Sequence, residues 1–232
     1  MASLSAEMLR EFSGEDDLEK VSMVVLRGMN LSDAASLSLA SNLTSVSLSH
    51  NSLTSLPLAA GALPSLTELN LNHNKLSSLS FAAACPALQR LWGAQNLFTS
   101  LAPLGACRGL TAVCVSGNLV EDLSNGFDTL KSLTRLEELE LDGNPCSSIP
   151  SYRALCVDAL KGLRILDGDA VQPAERDKAK HVAKYEARAE PSFYTHSDIQ
   201  VPVGDSARRA LRRPTTSHVH TAAYQATLRR RG

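Results

Sequence analysis

Three carboxylates alternate in Glu138-Leu-Glu140-Leu-Asp142, the spacing that puts side chains on one face of a β-strand. Paired carboxylates can divide acid and base duties. Such catalysis also needs a nucleophile held by a base, a glycine-rich phosphate loop or a metal motif such as HExxH, and the 232-residue chain has none of these patterns. The reading is therefore a non-enzyme whose Glu138, Glu140 and Asp142 form a solvated acidic patch suited to a basic partner. His50 and His73 sit in matching contexts, SLSHNSL and NLNHNKL. Two histidines without further ligands make no metal site, so the expectation is no metal, no cofactor, and histidines facing solvent or a partner. Five cysteines with no CxxC pair argue against both a disulfide framework and structural zinc.

These residues must be positioned by a repeat. The pattern apolar, x, x, apolar, x, apolar, x, x, Asn, x, apolar occurs as LTSVSLSHNSL, LTELNLNHNKL, LQRLWGAQNLF, LTAVCVSGNLV and LEELELDGNPC, from Leu43, Leu66, Leu88, Leu110 and Leu136. A degenerate first copy, VSMVVLRGMNL, starts at Val21 with Met29 in place of asparagine. The period of 22 to 26 residues is that of a leucine-rich repeat. The fold class that follows is an α/β solenoid: a right-handed leucine-rich-repeat coil with a short parallel sheet on its concave face, helical or 3-10 turns on its convex face, and helical caps.

Each apolar-x-apolar triplet reads as a short strand with alternate side chains inside. Asn51, Asn74, Asn96, Asn118 and Asn144 turn inward to satisfy backbone groups, so they are scaffold and not site. Ala40, Leu63, Cys85, Cys107 and Leu133 occupy one interior position three residues before successive repeats, which makes the two cysteines small buried hydrophobes. Extra residues around SNGFDTLKSLTRL enlarge one convex turn. Residues 1–20 supply an N-terminal helical cap with Met8, Leu9 and Phe12 on its apolar face, 21–149 six repeats, 150–180 a C-terminal cap, and 181–232 a basic extended tail.

The closing segment carries a resemblance. Asn144-Pro145, Tyr152-Arg153, Leu160, Leu163, Leu166-Asp167-Gly168, Val171 and Glu175-Arg176 resemble the C-terminal cap of short 22-residue-class leucine-rich-repeat proteins. That group includes a phosphatase regulatory subunit, the spliceosomal A-prime protein, and axonemal dynein light chain and assembly proteins. The resemblance implies a ciliary or flagellar axonemal scaffold, with regulation of a phosphatase or membership of a ribonucleoprotein as alternatives.

The repeat pattern places the third, fifth, seventh and eighth positions of each copy on the concave face. This yields Arg90, Trp92, His50, His73, Asn70, Asn72, Glu68, Glu138, Glu140 and Asp142 as candidate protein-binding residues. Trp92 is the chain's one tryptophan. It is either an interface anchor or, because Gly93 follows it, an indole that leans inward to fill the space a side chain would have taken.

Charge is divided unevenly. Residues 1–171 carry 11 Lys or Arg against 18 Asp or Glu, and residues 172–232 carry 12 against 6. In the basic part, Phe193, Tyr194, Arg208, Arg209, Arg212, Arg213, Arg229, Arg230 and Arg231 make either a solubilising tail or a segment that orders on an acidic surface such as tubulin. Axonemal subunits or tubulin are the expected partners. Nucleic acid is a weaker fit, because the arginine density is below that of a dedicated tract. No stretch of 18 apolar residues occurs, and MASLSAEMLREF lacks a basic-then-apolar pattern, so the expectation is a cytoplasmic protein with no membrane contact.

Overall fold

The computed structural model describes residues 2–121 and 124–186. β1 (Ala2–Ser3) leads into α1 (Ala6–Ser13), β2 (Met23–Val25) is the first inner strand, and β3 (Leu31–Asp33) pairs in parallel with β1. One strand per repeat follows: β4 (Ser45–Ser47), β5 (Glu68–Asn70), β6 (Arg90–Trp92), β7 (Ala112–Cys114) and β8 (Glu138–Glu140). Together with β2 they pair in parallel and in strict register. The strands begin one residue earlier than the apolar-x-apolar triplets.

Alternation explains the core. Val24, Val46, Leu69, Leu91, Val113 and Leu139 are the central residues of their strands and point inward, fully buried. Leu26, Leu48, Leu71, Val115 and Leu141, two residues on, join them. The asparagines then close each coil. Asn96 Nδ2 donates to the carbonyls of Leu71 at 2.9 Å and Gly93 at 3.1 Å, while its Oδ1 accepts from the Leu76 N–H at 3.0 Å. One side chain thus satisfies backbone groups of two adjacent coils, as the sequence reading expected.

The convex side is made of short 3-10 helices, among them Ala35–Leu39, Ser80–Ala84 and Ala102–Ala106. In the longest repeat this place is taken by α2 (Ser124–Ser132), because about four extra residues allow one more helical turn. Cys85 and Cys107 are buried, and the Cys107 thiol donates to the carbonyls of Ala82 and Cys85, both at 3.3 Å. Burial pushes the Cys107 thiol up to about 11, which keeps it protonated and inert.

Both ends are covered. Ser5 caps α1 by accepting from the Met8 N–H at 3.2 Å, and Leu4 and Leu9 enter the core. Phe12, expected on the buried face, is instead 41% exposed; it lies near the C-terminal end of this eight-residue helix, of which Leu9 is the buried residue.

The C-terminal cap consists of α3 (Tyr152–Ala159), β9 (Ile165–Leu166), β10 (Asp169–Ala170) and α4 (Pro173–Glu186), so the last helix continues past residue 180. Val157, not picked out from the sequence, is buried beside Tyr152, Cys156, Leu160 and Leu163. Asp167 and Gly168, both left-handed, turn β9 into antiparallel β10. In earlier coils the N–H two residues beyond the strand centre bonds to the next strand, as Val115 does to the Glu140 carbonyl at 2.9 Å. At the last coil Asp167 replaces that strand: its Oδ1 accepts from the N–H groups of Leu141 at 2.7 Å and Asp142 at 3.1 Å. Arg153 Nε donates to Glu175 at 2.5 Å, and Arg176 donates to the carbonyls of Val157, Leu160 and Leu163. Among the described residues, no helix is long and apolar enough to cross a membrane.

Candidate protein-binding face

Three rows of side chains cross the concave sheet from β2 to β8. The register aligns Met23, Ser45, Glu68, Arg90, Ala112 and Glu138 in one row, and Val25, Ser47, Asn70, Trp92, Cys114 and Glu140 in the next. Continuing the alternation two residues further gives Arg27, Ser49, Asn72, Ala94, Ser116 and Asp142.

Trp92 shares its row with Asn70 and Cys114, on the side of β6 opposite buried Leu91. It is half-buried. The space over Gly93 belongs to another aromatic: a Cβ there would come within 2.9 Å of Phe98 Cε2, and Phe98 is fully buried. The core-filling ring is therefore Phe98, five residues downstream in the same coil, and the indole stays on the concave side. The sequence places Phe98 where other repeats carry a smaller apolar residue such as Leu53 or Leu76, but does not say which of the two rings takes the space over Gly93.

Other candidate residues divide into four groups. Arg90 Nη1 binds Glu68 Oε1 at 2.9 Å across neighbouring strands, so these two form a half-exposed neutral pair. Asn70 and Asn72, expected to meet a partner, are 3% and 8% exposed. Asn70 Oδ1 accepts from the Asn72 N–H at 3.0 Å and Asn72 Oδ1 from the Ala94 N–H at 2.8 Å, so backbone groups occupy their carbonyl oxygens. Strands about 4.8 Å apart leave such short side chains in the shade of their neighbours. Both thus line the face as floor and not as projecting contacts.

His50 and His73 lie at the rim. They occupy the eighth repeat position, where the chain leaves the strand, and that position is left-handed in all six coils: Gly28, His50, His73, Gln95, Gly117 and Gly143. Each non-glycine residue there costs about 1 to 2 kcal/mol of backbone strain. The two exposed imidazoles stack with centroids 4.3 Å apart. Arg27 can only donate, so at 3.3 Å the His50 Nε2 accepts from it. Burial, then His73 and Arg27, hold His50 below the usual imidazole range and keep it neutral. Gln95 lies over Gly117, where an added Cβ would meet its Nε2 at 2.2 Å.

The opposite end is acidic. Glu138, Glu140 and Asp142 emerge side by side from the last full coil. Burial, Asp167 and Glu140 push the Asp142 carboxyl above its usual range. Burial and the adjacent Glu140 carboxylate push the Cys114 thiol up to about 12, so this concave cysteine is no nucleophile. Among the described residues, no group of three His, Cys, Asp or Glu could hold a metal ion. Phe193, Tyr194, Arg208, Arg209, Arg212, Arg213, Arg229, Arg230 and Arg231 lie outside the described residues.

Comparison with known proteins agrees with this geometry. Residues 41–84 match the family described as Leucine Rich repeats (2 copies). The chain is similar to dynein axonemal assembly factor 11 of Trypanosoma brucei brucei, 34% identical over 100 residues, covering 43% of this chain and 22% of that protein. It is also similar to the U2 small nuclear ribonucleoprotein A' of Yarrowia lipolytica, 43% identical over 54 residues, 23% of this chain and 24% of that one. The matches thus span less than a quarter of these two relatives. Among solved structures, the Drosophila melanogaster SNF/U2A' complex includes a chain of the same fold, with TM-score 0.51 and 24% identity over 78% of this chain and 92% of that one. The fold is a leucine-rich-repeat solenoid.

Proposed function

We propose that this chain is a non-catalytic protein-interaction scaffold of the cilium or flagellum, cytoplasmic and axonemal in location, whose partners are other proteins. One observation carries the binding part: among the described residues, the middle of the concave sheet is small and polar around a single large aromatic, Trp92. Solenoids use such extended concave surfaces to bind, and tryptophan is among the residues that most often anchor an interface. The ciliary part is supported by the similarity to dynein axonemal assembly factor 11. Axonemal subunits, and tubulin met by the basic tail of residues 181–232, are the partners proposed.

Two experiments test it. A tagged copy in ciliated cells is expected at the cilium or at sites of axonemal assembly; diffuse signal, with nothing in ciliary or detergent-extracted axonemal fractions, removes the ciliary reading. Trp92→Ala is expected to keep the far-ultraviolet circular dichroism of the parent and lose its captured partner.

A second reading, a ribonucleoprotein component, is favoured by the similarity to the U2 small nuclear ribonucleoprotein A'. It requires RNA to co-purify with the chain and binding to weaken steeply with salt.

A further inference from the structure

Apolar side chains on a solenoid's surface gain meaning when they recur at one position of successive coils, because the period then lines them up. Among the described residues the exposed large hydrophobics are Phe12, Val25, Leu39, Leu97 and Leu119. Of these, Leu97 and Leu119 share a repeat position, the one after the inward asparagine, and are 44% and 47% exposed. Backbone bonds fix their row. The Leu97 N–H donates to the Leu76 carbonyl at 2.8 Å and the Leu119 N–H to that of Phe98 at 2.9 Å, as the Lys75 N–H does to that of Leu53 at 2.8 Å. In the last coil Pro145, also exposed, takes this place. Proline has no N–H to give, so its neighbour Cys146 donates to the Val120 carbonyl at 3.0 Å instead. The row Lys75, Leu97, Leu119, Pro145 lies beyond the left-handed turn that ends each strand, on the flank of the coils and off the concave sheet.

Its spacing selects the occupant. Coils stand about 4.8 Å apart, so Leu97, Leu119 and Pro145 span about 10 Å, with Lys75 one step beyond. On an α-helix, side chains three or four apart are about 5 to 6 Å from each other, and seven residues advance about 10.5 Å. An extended strand repeats one face about every 6.7 Å and falls out of step within two coils. A second copy of this chain fits less well, because two half-exposed leucines and a proline fall well short of the roughly 800 Å² per partner that a stable pair buries. Charge sets the direction. Lys75 is exposed at one end of the row, where it suits an acidic side chain and the negative C-terminal end of a helix.

We propose that this flank is a second docking site, separate from the concave sheet. It takes one amphipathic helix of a partner protein, whose apolar residues i, i+4 and i+7 rest on Pro145, Leu119 and Leu97 and whose acidic last turn meets Lys75.

The probe is a fluorescein-labelled synthetic helical peptide of about sixteen residues, with leucines at those three spacings, glutamates in the last turn, and alanine and glutamine elsewhere. Titrated against the full chain and read by anisotropy, it is expected to bind saturably, and the same peptide with glutamine for leucine is not. Leu97→Gln with Leu119→Gln is expected to weaken binding about tenfold with circular dichroism unchanged. Lys75→Glu is expected to weaken it about threefold and to favour a peptide whose last turn carries lysines. Trp92→Ala, on the concave sheet, is expected to leave it unchanged. No saturable binding, undiminished binding by the folded double variant, or an equal loss with Trp92→Ala overturns the proposal; the charge exchange at Lys75 decides even if the double variant does not fold. A dimer in sedimentation that the double variant loses makes a second copy the occupant and also overturns it. Partner capture that survives Trp92→Ala but not the double variant would remove the concave reading and support this one.

Discussion

Single side chains in this solenoid do work that spans two coils, so their loss is costly. Asn118 Nδ2 donates to Gly93 and Val115 carbonyls at 3.0 and 2.8 Å, and its Oδ1 accepts from the Phe98 N–H at 3.0 Å. Asn118→Ala strands several buried backbone groups and is expected to cost roughly 3 kcal/mol or more in urea unfolding. Gly93→Ala drives a methyl toward Phe98 and is expected to cost about 1 to 3 kcal/mol. Phe98→Leu should recover part of that cost in the double variant, a coupling that thermal unfolding of all four proteins would read. Asp142→Asn has the opposite sign. A carboxyl held above its usual range in the fold penalises folding once it ionises, so the substitution should raise the melting temperature at pH 7. Below the ordinary carboxylate range, where Asp142 is protonated in both states, the gain should vanish.

Elements reach their ends by replacing what the next coil would have given. The β9–β10 hairpin puts the Asp167 carboxylate where a further strand would offer a carbonyl, and Arg153 with Glu175 fastens α4 beside α3. Arg153 holds Glu175 below the usual carboxylate range. Its stabilisation is therefore present above the ordinary glutamate value and is lost as pH falls through the lowered one. Glu175→Gln should cost about 1 kcal/mol at pH 7, a modest figure because both partners are about a third exposed or less, and the variant and parent should converge in acid. Much of this cap could be read from sequence, because Leu166-Asp167-Gly168 and Glu175-Arg176 stand out as a motif. That Arg176 serves three carbonyls of α3 and its following turn could not be read, since it depends on how two helices pack.

Among the described residues the inner strands of successive coils pair with their neighbours in the stack, so the architecture should tolerate loss of a complete period. Deleting residues 66–87 brings β4 and β6 into the same register each already has with β5. The shortened chain is expected to keep a native-like circular dichroism spectrum and one cooperative transition at lower denaturant; a molten spectrum would show that register is not modular here. The same modularity sets the charge pattern of the concave face. Arg27 and the acidic residues Glu138, Glu140 and Asp142 stand apart along the sheet because they belong to the first and last repeats.

The sequence by itself determined the coil count, the strand faces, the inward asparagines and the buried cysteines, because each follows from a fixed period and from the two-residue alternation of strands. It also located Trp92 in its row. It could not decide whether the indole faced out or in, because that turned on which ring fills the space above Gly93, and only packing within the coil gives the place to Phe98. Nor could it foresee that Asn70 and Asn72 would be shaded while His50 and His73 stack at the rim. Those outcomes depend on the spacing of strands and on a left-handed turn repeated down the stack, which are properties of coils held together and of no single repeat.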